Sequence, residues 1–498
     1  MQLRRTFRKG IDMNDNNKLI SKRFVGAVVA LAAVTIVFLL NVISNAIGQS
    51  GPDALNDGAH LPTVANEEHG AGASTGLKTE LPGQGSQTED PAITLPEGTV
   101  GDDNGADDPQ SSDAARHEPA EPAEPIEPDE PDEPAPVSVA NLSEHDEELS
   151  GELGRIARSF NCVSASLAAF DGASGYFTYQ YGFADVGARR NVEEETKFRI
   201  ASLSKLIVVI LAMTLVEEGL LDLDADISDY LGFEAKNPFF PDTPITSRML
   251  MQHTSSIYDT GAFQSGRQAY AADTTRRLLN DSTVHRERQP GTLHEYSDFG
   301  YAVLVAVCEE ASGKLLDEIA AEALFRPMGI DAAFAPVNLQ NKNLATLYNS
   351  SHNQSRSVQT QLNHGASGAL GHQHNLGIGN LTISALDFTR ILVMLTEKGV
   401  YSGVRIISEE SVREIHNTNV AAEHYRQGLS TRFQANAFMG EGVYWHTGSA
   451  YGVFTQFMYC MDTGRAVVAV TTGTRGEREP NGMIKVCLAL SEPVWRPS

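Results

Sequence analysis

Strand-forming segments gather at the two ends of one long stretch of this chain, with helical segments between them, and that separation restricts the fold more than any other feature. Residues 162–170 and 176–183 are β-rich runs joined by the turn-forming Asp171-Gly172-Ala173-Ser174-Gly175. Residues 442–446, 453–461 and 466–472 read as three more strands, with Asp462-Thr463-Gly464 turning between the last two. Between the groups, residues 202–218 form a long apolar run ended by Gly219, and residues 298–310 and 384–398 have helical spacing. Gly399 ends the last of these, and Ser384 with Asp387 three residues on resembles a capping box. Residues 481–490 suggest a closing helix. The expected fold is α/β in the α+β sense: one antiparallel five-stranded sheet, closed by the returning chain, flanked by helices and carrying an inserted, mainly helical subdomain.

That domain occupies residues 149–498; what precedes it is of another kind. Residues 24–40 carry no charge and uncharged residues continue to Ser50, enough helix to cross a bilayer. The flank before the run holds Arg4, Arg5, Arg8, Lys9, Lys18, Lys22 and Arg23, whereas the flank after it is acidic, so the amino terminus is expected in the cytoplasm. A cleaved signal peptide with processing near Ala46 and Gly48 is the alternative, but the run exceeds the usual apolar region of about 7–15 residues. The expected organisation is a basic cytoplasmic tail at 1–23, a transmembrane anchor at 24–47, a stalk at 48–148 and an extracytoplasmic domain at 149–498, which places the protein at the cell membrane. The stalk is rich in Pro, Glu, Asp, Gly and Ala, with too few apolar side chains to offset chain entropy, and is expected to be disordered. Residues 51–150 hold 25 acidic and 2 basic residues, so most of the formal net charge of −26 sits there. The acidity belongs to a spacer, says little about substrate charge, and argues against nucleic acid as a partner. A wall-binding role for this stretch is the other reading.

Three clusters inside the domain carry chemistry: Ser202-Leu203-Ser204-Lys205, Tyr296-Ser297-Asp298 and His446-Thr447-Gly448-Ser449. Ser202 opens the apolar run, where the backbone N–H groups of a helix start are unpaired and favour nearby negative charge. Lys205 lies on the same helix face one turn later, just before the wholly apolar Leu206-Ile207-Val208-Val209-Ile210-Leu211. Burial and the positive helix end disfavour an ammonium there, so the lysine is expected to act as a base near neutral pH. Tyr296 and Asp298 precede the next apolar helix, where a phenol near a cation can exchange protons with the serine and a leaving group. His446, Thr447, Gly448 and Ser449 continue a strand into small residues, giving a substrate room along the edge beside the Ser449 N–H. Taken singly each string is an ordinary cap, packed ring or strand end; together they are the equipment of an acyl-transferring serine hydrolase.

These clusters resemble the serine β-lactamase and penicillin-binding-protein superfamily, most closely its class C and D-Ala-D-Ala carboxypeptidase/esterase-like branch. The resemblance extends through the segments 219–224, 245–256 and 377–387. It implies that Ser202 is the acyl-accepting nucleophile, Lys205 its partner and Tyr296 the proton relay, with the Ser202 and Ser449 N–H groups forming the oxyanion hole. The implied substrates are cell-wall-like peptides ending in D-Ala-D-Ala, β-lactams or small esters. Two positions depart from the pattern: Asp298 stands where asparagine is common, and His446 where penicillin-recognising members commonly carry lysine. A carboxylate at Asp298 stabilises the Lys205 ammonium and opposes a tyrosinate, and His446 is positive only when protonated. Asp298 and His446 are accordingly expected to form a coupled pair, in an enzyme that prefers esters or amides to penicillins. A non-catalytic sensor or cell-wall-binding domain that keeps the fold is the competing function.

No cofactor is expected, since a serine mechanism needs none. His364, His372 and His374 lie in a Gly-rich stretch with loose spacing and no accompanying carboxylate, and read as loop residues rather than metal ligands. Cys162, Cys308, Cys460 and Cys487 allow three disulfide pairings or serve as small buried hydrophobes.

Overall fold

The expected hairpin forms from β1 (Ser164–Asp171) and β2 (Gly175–Asp185), with Ala165 opposite Tyr181 and Leu167 opposite Tyr179. This computed structural model describes residues 144–261, 263, 274–364, 370 and 375–496. The proposed tail, the anchor at 24–47 and most of the stalk lie outside the described residues. Among the described residues, no helix is long and apolar enough to cross a membrane.

The chain returns to the hairpin as expected. Strands β3 (Arg190–Asn191), β4 (Val420–Ala421), β5 (Arg426–Gln427), β6 (Arg432–Phe438), β7 (Glu441–Ala450), β8 (Val453–Tyr459) and β9 (Ala466–Thr472) complete one antiparallel sheet in the order β4-β5-β6-β7-β8-β9-β1-β2-β3. The sheet closes where β1 pairs with β9, Leu167 lying opposite Ala469. It therefore has nine described strands rather than five. The five expected strands form its centre, and the added ones are two residues long except β6, whose pattern is broken by an irregularity between Gln434 and Phe438.

Alternation sorts the central strands between two cores. Ala165, Leu167, Val467 and Ala469 face a layer made by α1 (Glu144–Ser159) and a carboxy-terminal helix, Lys485–Trp495. Ala168, Val468 and Val470 face the helical insert, which contains α2 (Ser204–Glu217), α3 (Asp298–Ser312) and α4 (Ala385–Thr396). The carboxy-terminal helix is α5, displaced along the chain from the expected 481–490. Helix α1 starts inside the segment assigned to the stalk, and Leu153 and Ala157 anchor it in the core.

Helix α2 is buried from Ser204 to Leu215, which explains its uninterrupted apolar sequence. The four cysteines are free and buried. Burial pushes the Cys162 and Cys308 thiols up to about 12, the behaviour of packed small hydrophobes.

Candidate active site

Ser202 does not begin the long helix, as the sequence suggests, but sits in a 3₁₀ turn, Ala201–Leu203, immediately before α2. Ala201 is held at φ +50, in the left-handed region that residues with a Cβ rarely adopt. Two contacts hold the turn in that shape: Ser204 Oγ donates to the Ala201 carbonyl at 2.7 Å, and Thr455 Oγ1 on β8 donates to the Ile200 carbonyl at 2.9 Å. Strained backbone of this kind persists only where its surroundings over-determine it.

The hydroxyl, the amine and the phenol meet around this turn. Lys205 Nζ lies 3.4 Å from Ser202 Oγ, and Tyr296 Oη donates to the same oxygen at 3.0 Å. Ser202 and Lys205 are one helical turn apart, whereas Tyr296 arrives from the start of α3. The Ser297 hydroxyl caps that helix by accepting from the Gly300 N–H at 2.9 Å. Asp259 adds a second cap, its carboxylate accepting from the Asp298 and Phe299 N–H groups at 3.2 and 2.9 Å.

Lys205 is fully buried, and its ammonium donates to Asp298 Oδ1 at 2.8 Å and to the Ile378 carbonyl at 2.6 Å. Burial disfavours the charge, but Asp298 and Tyr296 outweigh it, and the net direction is upward from the usual lysine value. The neutral base expected from the sequence is thus absent from the resting site: Lys205 is a cation paired with Asp298. Burial is also the largest influence on Tyr296, and with Asp298 it outweighs the Lys205 charge, so the phenol keeps its proton. The expected Asp298–His446 pair does not form either. Asp298 turns to Lys205, while the His446 ring, buried on β7, places Nδ1 2.7 Å from the Thr447 carbonyl. Desolvation, then the nearby Arg432 and Lys205 charges, hold His446 well below its ordinary value. A neutral imidazole donating from Nδ1 leaves Nε2 as a lone-pair acceptor, and Nε2 is buried with no partner among the described residues.

The pairing of β6 with β7 runs only as far as Trp445 opposite Arg432, so the 446–450 stretch pairs with β8 alone and lends its other edge to the serine turn. Gly448 permits the approach: a Cβ there would strike Thr455 Oγ1 and lie 2.6 Å from the Ile200 carbonyl. Thr447 is buried and accepts from Arg478 at 3.0 Å, and Ser449 follows on the same edge. His364 is partly buried beside Arg199 and Arg356 rather than on an open loop; desolvation and those charges take it to about 4. His372 and His374 lie outside the described residues.

Two features escape the sequence. Arg432 on β6 places its guanidinium 5.9 Å from the Tyr296 ring centroid, between Tyr425 at 4.8 Å and Trp445 at 5.1 Å, and no carboxylate pairs with it among the described residues. His253 packs its ring 4.4 Å from that of Tyr296 and accepts from the Ser297 N–H at Nδ1, 3.2 Å away. Neither carries a local signal: Arg432 reaches the site through strand register, and His253 through a loop turn at φ +57.

Residues 155–486 match the Beta-lactamase family. Among curated relatives, Penicillin-binding protein 4* of Bacillus subtilis (strain 168) is 27% identical over 196 residues, covering 38% of this chain and 41% of the relative. The D-alanyl-D-alanine-carboxypeptidase/endopeptidase AmpH of Escherichia coli (strain K12) is 28% identical over 174 residues, covering 34% of this chain and 45% of the relative. The matched stretch thus spans less than half the length of either relative. Of solved structures, the octameric penicillin-binding protein homologue from Pyrococcus abyssi superposes with a TM-score of 0.55 at 22% identity, covering 66% of this chain and 74% of the other. The family match spans well over half the sequence and includes all three chemical clusters, and the chain belongs to the Beta-lactamase family.

Proposed function

We propose that this protein is a membrane-anchored, extracytoplasmic serine hydrolase that forms an acyl-enzyme on Ser202. Its substrates are D-Ala-D-Ala-like peptide amides or small esters, with penicillins turned over poorly. The observation that carries the reading is the convergence of Lys205 Nζ and Tyr296 Oη on Ser202 Oγ, at 3.4 and 3.0 Å. The relatives named for D-alanyl-D-alanine carboxypeptidase activity and for penicillin binding support the substrate class. The charge-free run at 24–40 behind a basic flank supports the anchor.

The chemistry follows from the charges at rest. Lys205 passes a proton across the 2.8 Å bond to Asp298, which replaces a buried ion pair with a neutral one, and the freed amine takes the proton of Ser202 as Oγ attacks the carbonyl carbon. The Ser202 and Ser449 N–H groups face the developing oxyanion; in other enzymes loss of one such donor costs about 100- to 1,000-fold in turnover. Tyr296 gives its proton to the leaving nitrogen or oxygen as that bond breaks, and recovers one from the Lys205–Asp298 pair. Water then repeats the sequence on the acyl-enzyme.

Penicillin is disfavoured because His446 is buried and neutral where a cation is usual, and its Nε2, without a partner among the described residues, offers a lone pair rather than a proton. The test is covalent labelling with a fluorophosphonate and with a fluorescent penicillin. Labelling by the fluorophosphonate, slow labelling by the penicillin and loss of both in Ser202→Ala are expected. A protein that binds these compounds without acylation is a sensor, and the enzyme reading fails.

A further inference from the structure

Beyond the oxyanion side of the site lies a group of cations that the acylation chemistry does not use. Tyr451, two residues after Ser449 at the turn between β7 and β8, is 42% exposed. Its ring is flanked by two guanidinium groups, Arg356 at 3.9 Å and Arg199 at 4.8 Å from the centroid. These come from unrelated parts of the sequence: Arg199 lies three residues before Ser202, and Arg356 ends the short strand Gln354–Arg356. Arg199 Nε also donates to the Gly379 carbonyl at 2.7 Å, next to the Ile378 carbonyl that holds Lys205, so its position is tied to that of Lys205. Arg356 has no carboxylate partner among the described residues; its guanidinium donates only to its neighbour's carbonyl, that of Ser355, at 2.8 Å. Cation–π attraction of about 0.5–1 kcal/mol at an exposed site holds each guanidinium against the ring.

Strand direction, taken with the proposed acyl-acceptor role of Ser202, orients a substrate along this edge. A carbonyl held with its oxygen toward the Ser202 and Ser449 N–H groups has its leaving group near Tyr296, and so toward His446 and Arg432. Its acyl portion points the opposite way along β7, past Ser449 to Tyr451, a span of ~7 Å at a strand's rise of about 3.3 Å per residue. We propose that Arg199, Tyr451 and Arg356 form an acyl-side anion subsite that selects substrates whose acyl portion carries a carboxylate about five bonds beyond the scissile carbonyl. The subsite rests on the reading of Ser202 as the acyl acceptor. Arg356 and Arg199 supply charge-assisted hydrogen bonds to the carboxylate, and the tyrosine ring keeps both guanidinium groups in place.

Two esters of matched length test this: 4-nitrophenyl hydrogen adipate, whose acyl chain ends in a carboxylate, and the neutral 4-nitrophenyl hexanoate. Arg356→Gln is expected to lower kcat/KM for the adipate ester about tenfold, mainly through KM, with the hexanoate ester within about twofold. Arg356→Lys restores part of the loss, and raising salt from about 0.05 to 0.5 M narrows the wild-type preference. Equal effects on both esters, or a wild type indifferent to the terminal charge while hydrolysing the hexanoate through Ser202, overturn the subsite alone. Hexanoate hydrolysis that survives in Ser202→Ala overturns the acyl-acceptor reading and the subsite with it.

Discussion

Asp298 Oδ1 lies 2.8 Å from Lys205 Nζ, and that pair fixes where the protons of the site reside. With the carboxylate in place the amine is an ammonium in spite of complete burial. Removing the carboxylate leaves desolvation as the dominant influence, and the lysine value falls. Asp298→Asn is therefore expected to move the acidic limb of the acylation pH profile to lower pH and to raise β-lactam turnover. Stopped-flow acylation and chromogenic cephalosporin hydrolysis measure the two effects; unchanged or lower turnover counts against this account of the departure.

Tyr296→Phe removes the hydroxyl that donates to Ser202 but leaves a ring to pack on His253, 4.4 Å away. Turnover on a D-Ala-D-Ala peptide is expected to drop about 100-fold or more, in the range of general acid–base contributions, with the thermal midpoint nearly unchanged. A large fall in both quantities would assign the residue to structure instead of chemistry.

Gly448→Ala tests the close approach of β7 to the serine turn. The added methyl group meets Thr455 Oγ1 and the Ile200 carbonyl, neither of which is the tip of a long flexible side chain. Ester turnover is expected to collapse and stability to fall by about 1–3 kcal/mol, the usual cost of overpacking. Normal turnover with normal stability, read by ester assay and urea denaturation, would show that the strand can yield.

Buried histidines make the fold sensitive to acid. His416 places Nδ1 2.7 Å from the Val412 carbonyl and Nε2 2.6 Å from Tyr459 Oη, and burial takes it down to about 4. The unfolded chain binds a proton near 6.5 and the folded chain does not, so stability is full above pH 6.5 and declines as pH falls toward 4. This residue alone contributes about 3 kcal/mol to that decline. Urea midpoints from pH 7 to pH 4.5 should fall steeply in the wild type and less steeply in His416→Gln. Parallel slopes would place the acid sensitivity elsewhere.

The central strands and the buried helices were legible because hydrophobic period reports burial directly, as in the uninterrupted apolar run of α2. Ser202, Lys205 and Tyr296 were legible as a set, since their separate strings fall in an order that resembles one family. What the sequence hid was mostly long-range. Arg432 reaches Tyr296 only through the pairing of β6 with β7, and the irregularity between Gln434 and Phe438 spoils the alternation that would mark that strand. The charge on Lys205 depends on a carboxylate 93 positions away. A local argument from burial and helix polarity therefore predicts the wrong protonation state. His446 was expected beside Asp298 because both depart from the family pattern, yet its ring turns to the adjacent Thr447 carbonyl, a choice of rotamer that spacing does not encode.

The antiparallel seam between β1 and β9 joins the start of the domain to nearly its end. The serine is synthesised early, but the strand edge that faces it, and the strand that locks the sheet around both, leave the ribosome more than two hundred residues later. Shortened chains that stop before Ala466 therefore hold Ser202 without β9, and the turn that carries it meets the strand edge facing it only after the helical insert has been made.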